Sequence, residues 1–398
     1  MSAPPSGLAG CAFAHTHRHG WAVSGVADTD LPTRFAPQQD AALKAIAAWR
    51  KGGGPQVFRL FGYAGTGKTT LARRIADDVE GEVLFGAFTG KAASVMRQKG
   101  CHDAATIHSL IYRTKETEEG GPAFTLNRSG PAAKAELIIV DECSMVDSDL
   151  GNDLLSFGKP VLVLGDPAQL PPVRGGGFFT EAEPDVMLTD VHRQAADDPI
   201  VRMAMTVREG GRLGLGTFGN SRIVTRRDLE PSLVLEADQV LVGMNKTRRL
   251  YNNRLRELAG HVDPMPAVGE KLVCLRNDRT KGLLNGSTWT VHALRAPPRP
   301  DTIRLDVVPE DDPALRRRPT DIKVLRAVIT GSEEEIPAFL RRETDEFTYG
   351  YALTVHKAQG SQWDRVVLFD ESYAFREHRA RWLYTGLTRA AQAITVVV

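Results

Sequence analysis

Val57-Phe-Arg-Leu-Phe61-Gly62-Tyr-Ala-Gly-Thr-Gly-Lys68-Thr69-Thr70-Leu-Ala-Arg-Arg-Ile-Ala76 decides the fold. An apolar β-prone run breaks into a glycine-rich turn, and the turn opens onto a helical segment. Glycines let the backbone close around an anion, so that several N–H groups and the positive end of a helix converge on it. Lys68 adds a mobile cation, and the Thr69 hydroxyl is a hard oxygen ligand suited to Mg²⁺. Strand, loop and helix in this order form a nucleoside-triphosphate phosphate loop. Gly62, Ala64, Gly65, Thr66, Gly67, Lys68, Thr69 and Thr70 are its candidate nucleotide contacts. A glycine-rich turn with no ligand also fits the spacing, but it has no need of the strand before it and the helix after it.

Further along, Leu137-Ile-Ile-Val140 runs into Asp141-Glu142. An apolar strand that ends in two carboxylates supplies what a phosphate loop lacks. Asp141 is placed to hold Mg²⁺, and Glu142, one residue further out, to polarise a water for attack on a γ-phosphate. A capping pair at a strand-to-helix turn is the alternative. Binding alone would not require both carboxylates.

Apolar and charged fractions of 42% and 25% over 398 residues are those of a globular chain with room for two or three cores. The net charge of +1 excludes a global basic field, so contact with a polyanion must come from local clusters such as Lys246-Thr-Arg-Arg249 and Arg316-Arg-Arg318. Four cysteines (Cys11, Cys101, Cys143, Cys274) have no paired spacing, which argues against a disulfide framework and a zinc site. The His15-Thr-His17-Arg-His19 run has ligand residue types without a closing partner. No apolar stretch reaches the length of a membrane span and no secretory h-region is present, so a cytoplasmic protein without membrane contact is expected.

Residues 1–31 lack periodicity and read as a flexible N-terminal extension. From Phe35 onward, strand and helix signals alternate: a helix at Gln38–Trp49, strands at Val57–Phe61, Val83–Ala87, Leu137–Val140 and Val161–Leu164, helices between. This pattern predicts an α/β fold with a parallel sheet covered on both faces. A hairpin-like excursion centred on Gly120-Gly121 interrupts it. A second α/β region begins near Ile223 and is itself interrupted by short strands at Lys271–Leu275, Ser287–Val291, Ile303–Val308 and Lys323–Val328, the spacing of a small β-barrel. The expected organisation is a first parallel-sheet domain over 32–192 with its hairpin insertion at 113–133, a second over 193–268 and 343–398, and an inserted domain over 269–342.

Four further motifs fall on these cores. Gly165-Asp-Pro-Ala-Gln169-Leu-Pro-Pro-Val173 puts an amide, Gln169, where it can sense a γ-phosphate. Leu188-Thr-Asp-Val-His-Arg193-Gln194 and Tyr384-Thr-Gly-Leu-Thr-Arg389-Ala390 each supply an arginine for charge that develops on that phosphate. Tyr351-Ala-Leu-Thr354-Val-His356-Lys357-Ala-Gln359-Gly360-Ser361-Gln362 follows the inserted strands.

With these motifs in order, the chain from Phe35 to Val398 resembles the superfamily 1B DNA helicases of the RecD-like branch, which includes the phage Dda-like enzymes. The resemblance implies two RecA-like P-loop NTPase domains, a β-hairpin insertion that acts as a pin at the duplex junction, and an SH3-like β-barrel insertion in the second domain. It implies ATP and Mg²⁺ as cofactors, Gln39 as an adenine-reading residue and Gly360 at the nucleotide. Lys68, Glu142, Gln169, Arg193 and Arg389 would be catalytic, with Thr69 and Asp141 on the metal. Contacts to single-stranded DNA are implied for Thr89, Lys91, Thr106 and His108 on the first core, and for Asn245, Thr354, His356 and Lys357 on the second. The implied activity is ATP-driven 5′→3′ translocation with duplex unwinding at single-strand/double-strand junctions, by a monomer. Gln362 departs from the glutamate many relatives carry after their Gln-Gly-Ser run.

Other readings stay open at this level. A translocase that remodels protein–DNA complexes, or the motor subunit of a larger recombination or repair complex, would carry the same motifs. A non-motor ATP switch would not need two arginine fingers, and a nuclease would need a carboxylate cluster for which no segment is left over.

Overall fold

The computed structural model describes residues 35–116, 122–171, 177–190, 197–278, 281–310, 319–330, 336, 340–341 and 343–398. The N-terminal extension with Cys11 and the histidine run, the Gly120-Gly121 tip, Arg193 and Arg316–Arg318 lie outside the described residues.

The phosphate-loop strand β1 (Val57–Gly62) is one of six parallel strands. With β2 (Val83–Ala87), β3 (Ala105–Thr106), β6 (Leu137–Asp141), β7 (Val161–Gly165) and β8 (Val186–Leu188) it forms a sheet of order β3-β2-β6-β7-β1-β8. The strands read as unbroken apolar runs because both faces are covered. Leu60, Ile139 and Leu162 enter one core, while their chain neighbours Phe61, Ile138 and Val163 enter the core on the opposite face. Between β3 and β6 the chain makes an antiparallel hairpin of β4 (Tyr112–Glu116) and β5 (Pro122–Leu126).

The second region starts with an antiparallel edge pair, β9 (Gly216–Phe218) and β10 (Ser221–Val224), followed by β11 (Gln239–Val242) and the helix Asn245–Leu258. The chain then leaves to build a five-stranded antiparallel sheet: β12 (Lys271–Cys274), β13 (Thr288–Arg295), β14 (Thr302–Pro309), β15 (Thr320–Leu325) and β16 (Phe347–Tyr349), in the order β15-β14-β13-β12-β16. It returns as β17 (Ala352–Thr354), β18 (Trp363–Phe369) and β19 (Ala390–Val397), which complete a second six-stranded sheet of order β17-β11-β18-β19-β10-β9. All pairings in that sheet except β9–β10 are parallel.

Two local differences from the sequence reading have physical causes. The run Lys323–Val328 is strand only to Leu325, after which Arg326–Thr330 is helical. Arg326 N donates to Asp301 O at 2.9 Å, and Val328 and Ile329 turn into the core of the antiparallel sheet, so tertiary burial overrides β-propensity. The fifth strand, β16, lies past residue 342 and pairs with β12.

A buried ion pair ties this antiparallel sheet to the helix before it. Arg256 Nε meets Glu270 Oε1 at 2.6 Å and Nη2 meets Oε2 at 2.9 Å, with the guanidinium 4.0 Å from the Tyr349 ring centroid. A planar fork on a carboxylate fixes direction as well as distance.

Candidate active site

The phosphate loop takes its shape from two left-handed glycines, Gly65 (φ 80°) and Gly67 (φ 81°), the second at the N-terminus of the helix Lys68–Asp77. Gly62 serves close approach instead, since a Cβ there would sit 2.7 Å from Thr66 Oγ1 and 2.8 Å from Leu188 Cβ. Thr66 Oγ1 donates to Tyr63 O at 2.8 Å, and Lys68 Nζ to Gly62 O at 2.6 Å and Tyr63 O at 3.1 Å. Ala64, Gly65, Gly67, Lys68, Thr69 and Thr70 line one hollow at the start of that helix, a position that receives phosphate.

The end of β6 faces that hollow. Thr69 Oγ1 lies 3.3 Å from Asp141 Oδ2, while Glu142 N donates to Asp141 Oδ1 at 2.8 Å. Glu142 itself is left-handed (φ 52°, ψ 43°), a strained position for a residue with a Cβ. Burial pushes the Asp141 carboxyl above its ordinary range, and the Glu142 charge pushes it further, against the opposing pull of the Glu142 N–H and Lys68. A hydroxyl and a crowded pair of carboxylates are hard oxygen donors whose repulsion a small divalent cation relieves, so the residues present fit Mg²⁺.

The opposite wall of this cleft of about 480 Å³ comes from the second sheet: Gly360, Ser361, Thr388 and Arg389. Arg389 is 5% exposed and held by three bonds, Nε to Thr385 O at 3.1 Å, Nη1 to Ser361 O at 3.2 Å and Nη2 to Thr388 Oγ1 at 3.1 Å. Its Nη1 reaches to 4.0 Å from Glu142 Oε1. Gln169, from the loop after β7, lines the cleft with a buried Oε1 that has no hydrogen-bond partner among the described residues. Such an atom is costly to leave so, and a site for a polar ligand is one physical reason for it.

Gln39 is tied to the phosphate loop. Its Nε2 donates to Thr66 O at 3.0 Å and its Oε1 accepts from Ala36 N at 3.1 Å, so its amide braces the phosphate loop against the helix Pro37–Lys51. The candidate DNA contacts are also partly structural. Thr89 caps the helix Gly90–Gln98 through Ala92 N, Thr106 caps the next through Ser109 N, and Lys91 is 5% exposed. His108 packs between Phe88 and Tyr112. On the second core Asn245 and Lys357 are exposed, Thr354 is buried at the end of β17, and His356 is half-buried against Phe375.

Sequence reasoning missed how the cores are joined. Tyr384 OH donates to Asp166 Oδ2 at 2.6 Å and accepts from Ala64 N at 2.9 Å; Thr385 Oγ1 accepts from Leu170 N at 2.9 Å; Gln359 Nε2 donates to Leu170 O at 2.9 Å. Each residue lies inside a motif quoted above, but nothing in the spacing of those motifs paired one with another.

Known proteins are similar to this chain in sequence and fold. A family model described as an AAA domain matches residues 34–226, and one described as a UvrD-like helicase C-terminal domain matches residues 349–397. The chain is 30% identical to the ATP-dependent RecD2 DNA helicase of Deinococcus radiodurans over 98% of its own length, and spans 51% of that protein. It is 28% identical to the RecBCD enzyme subunit RecD of Mycobacterium tuberculosis, over 92% of this chain and 70% of that one. Bacteroides Pif1 bound to ssDNA superposes with a TM-score of 0.56 over 92% of both chains at 18% identity, which shows the shared fold. Fold and site together define a P-loop NTPase built on two RecA-like parallel sheets. Within that class the proteins it is similar to are of the RecD type.

Proposed function

We propose that the chain is an ATP-dependent DNA helicase that moves 5′→3′ on single-stranded DNA and separates the duplex ahead of it. The observation that carries this reading is the shared cleft: Lys68, Thr69, Asp141 and Glu142 come from the first sheet, and Arg389 comes from the second to within 4.0 Å of Glu142. Hydrolysis in such a cleft depends on the relative position of two cores, and the same dependence converts hydrolysis into motion. The loop amides and Lys68 would bind the phosphates. Thr69 and Asp141 would hold Mg²⁺, which supplies charge neutralisation at the β- and γ-oxygens when bound. Glu142 would orient the attacking water, Gln169 would sense the γ-phosphate, and Arg389, with Arg193 by family resemblance, would stabilise the charge that develops.

Support for DNA as the track comes from the Deinococcus radiodurans relative, which is named a DNA helicase, and from a fold neighbour bound to ssDNA. Thr89, Lys91, Thr106 and His108 on one core and Asn245, Thr354, His356 and Lys357 on the other would grip the strand in alternation. The β4–β5 hairpin would serve as the pin, and β12–β16 as the SH3-like insertion. The polarity follows the RecD-like branch, as do the monomeric state and a cytoplasmic location; among the described residues no helix is long and apolar enough to cross a membrane. A motor subunit of a larger recombination or repair complex is the second reading, favoured by the likeness to a RecBCD subunit.

The test is steady-state ATP hydrolysis with and without single-stranded DNA, run beside unwinding of duplexes that carry only a 5′ or only a 3′ tail. Stimulation with unwinding of the 5′-tailed duplex is the expected result. Stimulation without unwinding favours the subunit reading, and no stimulation overturns both.

A further inference from the structure

The phosphate loop is held from outside its own domain. Tyr63 and Ala64 form the outer turn of the loop, and the second core grasps both. The Arg208 guanidinium, at the end of the helix Pro199–Arg208, stands 3.8 Å from the Tyr63 ring centroid. Tyr384 OH accepts the Ala64 N–H at 2.9 Å and is itself anchored by donating to Asp166 Oδ2 at 2.6 Å. Ala64 also packs against the apolar cluster that contains Tyr384, Trp382 and Leu387. Tyr384 is 1% exposed and Asp166 2% exposed, so the bond between them is buried, while the Ala64 end of the chain is partly buried.

We propose that Tyr384 and Arg208 form a clasp on the Tyr63-Ala64 turn, as positioning residues that hold the phosphate loop in its anion-ready shape only while the two cores are together. The inference rests on the nucleotide reading given under the proposed function. With the Ala64 amide bonded to Tyr384, the curvature of the loop is fixed at its outer turn. Because the clasp exists only in the closed arrangement, whatever tightens phosphate binding also tightens closure, and the linkage is reciprocal. The two residues between Gly62 and Gly65 thereby acquire a role that the glycine pattern leaves open.

Tyr384→Phe keeps the ring in its core and deletes the bridge, leaving both the Ala64 N–H and the Asp166 carboxylate without this partner. Titration of the full chain with mant-ADP and Mg²⁺ should then show affinity reduced about tenfold, in addition to the lower melting temperature that the unmade buried bonds produce. Asp166→Asn should weaken mant-ADP comparably, and the double variant should lose no more than either single one, as members of one unit do. A lower melting temperature with wild-type mant-ADP affinity would mean that Tyr384 only packs, and overturns the clasp. Should Tyr384→Phe not fold, Arg208→Met, which removes the charge above Tyr63, carries the same test: about a threefold loss supports the clasp, and unchanged affinity sinks it. A wild-type chain that binds no mant-ADP would remove the nucleotide reading itself, whereas wild-type binding matched by the variants removes the clasp alone.

Discussion

Arg389 Nη1 and Glu142 Oε1 stand 4.0 Å apart, although one side chain is carried by the second sheet and the other by the first. Glu142 is presented to that meeting point by a left-handed backbone, with its amide tied to Asp141 Oδ1 at 2.8 Å. A carboxylate held so beside a phosphate hollow is suited to orient water. Glu142→Gln should therefore lower ATP turnover by roughly 10²–10⁴ while nucleotide still binds. Single-turnover hydrolysis beside a binding titration checks this, and steady-state turnover near that of the wild type would remove the assigned role.

Arg389 spends all three guanidinium nitrogens on the Thr385 and Ser361 carbonyls and the Thr388 hydroxyl. A lysine keeps the charge but cannot reproduce the fork. Arg389→Lys is expected to reduce turnover by about 10³, near the lower limit found for loss of an arginine finger. Rates within tenfold of the wild type would show that charge alone suffices.

Glu270 is fully buried beneath Arg256 and also accepts from Ala267 N at 2.8 Å and Tyr351 OH at 3.3 Å. Its removal leaves a buried guanidinium without its counter-charge. Glu270→Ala should cost about 3–5 kcal/mol in urea-induced unfolding. A loss below ~1 kcal/mol would indicate that the Asp263 and Met265 carbonyls, which Arg256 Nη2 also reaches, compensate.

Burial, and then the charge of His378, hold the His356 imidazole below its ordinary pKa. The folded protein thus binds a proton there less readily than the unfolded chain. Stability from this group is complete above about pH 6.5 and is lost as the pH falls through the depressed folded value. In melts from pH 7.5 to 5, His356→Gln should gain on the wild type as the pH drops. At pH 7.5 the imidazole is neutral, so the salt slope of single-stranded DNA binding should be the same in both proteins. Parallel melting curves, or a shallower slope in the variant, would count against a neutral His356.

The local chemistry of the nucleotide site was legible in the sequence. Gly65 and Gly67 are needed where the backbone turns left-handed, Lys68 and Thr69 follow at the helix start, and Asp141-Glu142 end an apolar strand; each signal sits within a few residues of the structure it specifies. The two parallel sheets were legible from unbroken apolar strands alternating with helices. Short-range pattern did not mark β8, β9 or β16, which owe their existence to neighbours far along the chain. Tertiary structure alone decided that Gln39 braces Thr66, that Glu142 adopts a left-handed backbone, and that Tyr384 reaches Ala64 and Asp166. A sequence records which residues can cap, turn or cradle because those properties depend on the residue and its immediate backbone. Which two of them meet depends on how whole sheets pack, and a hydroxyl 218 residues from its carboxylate leaves no trace in spacing.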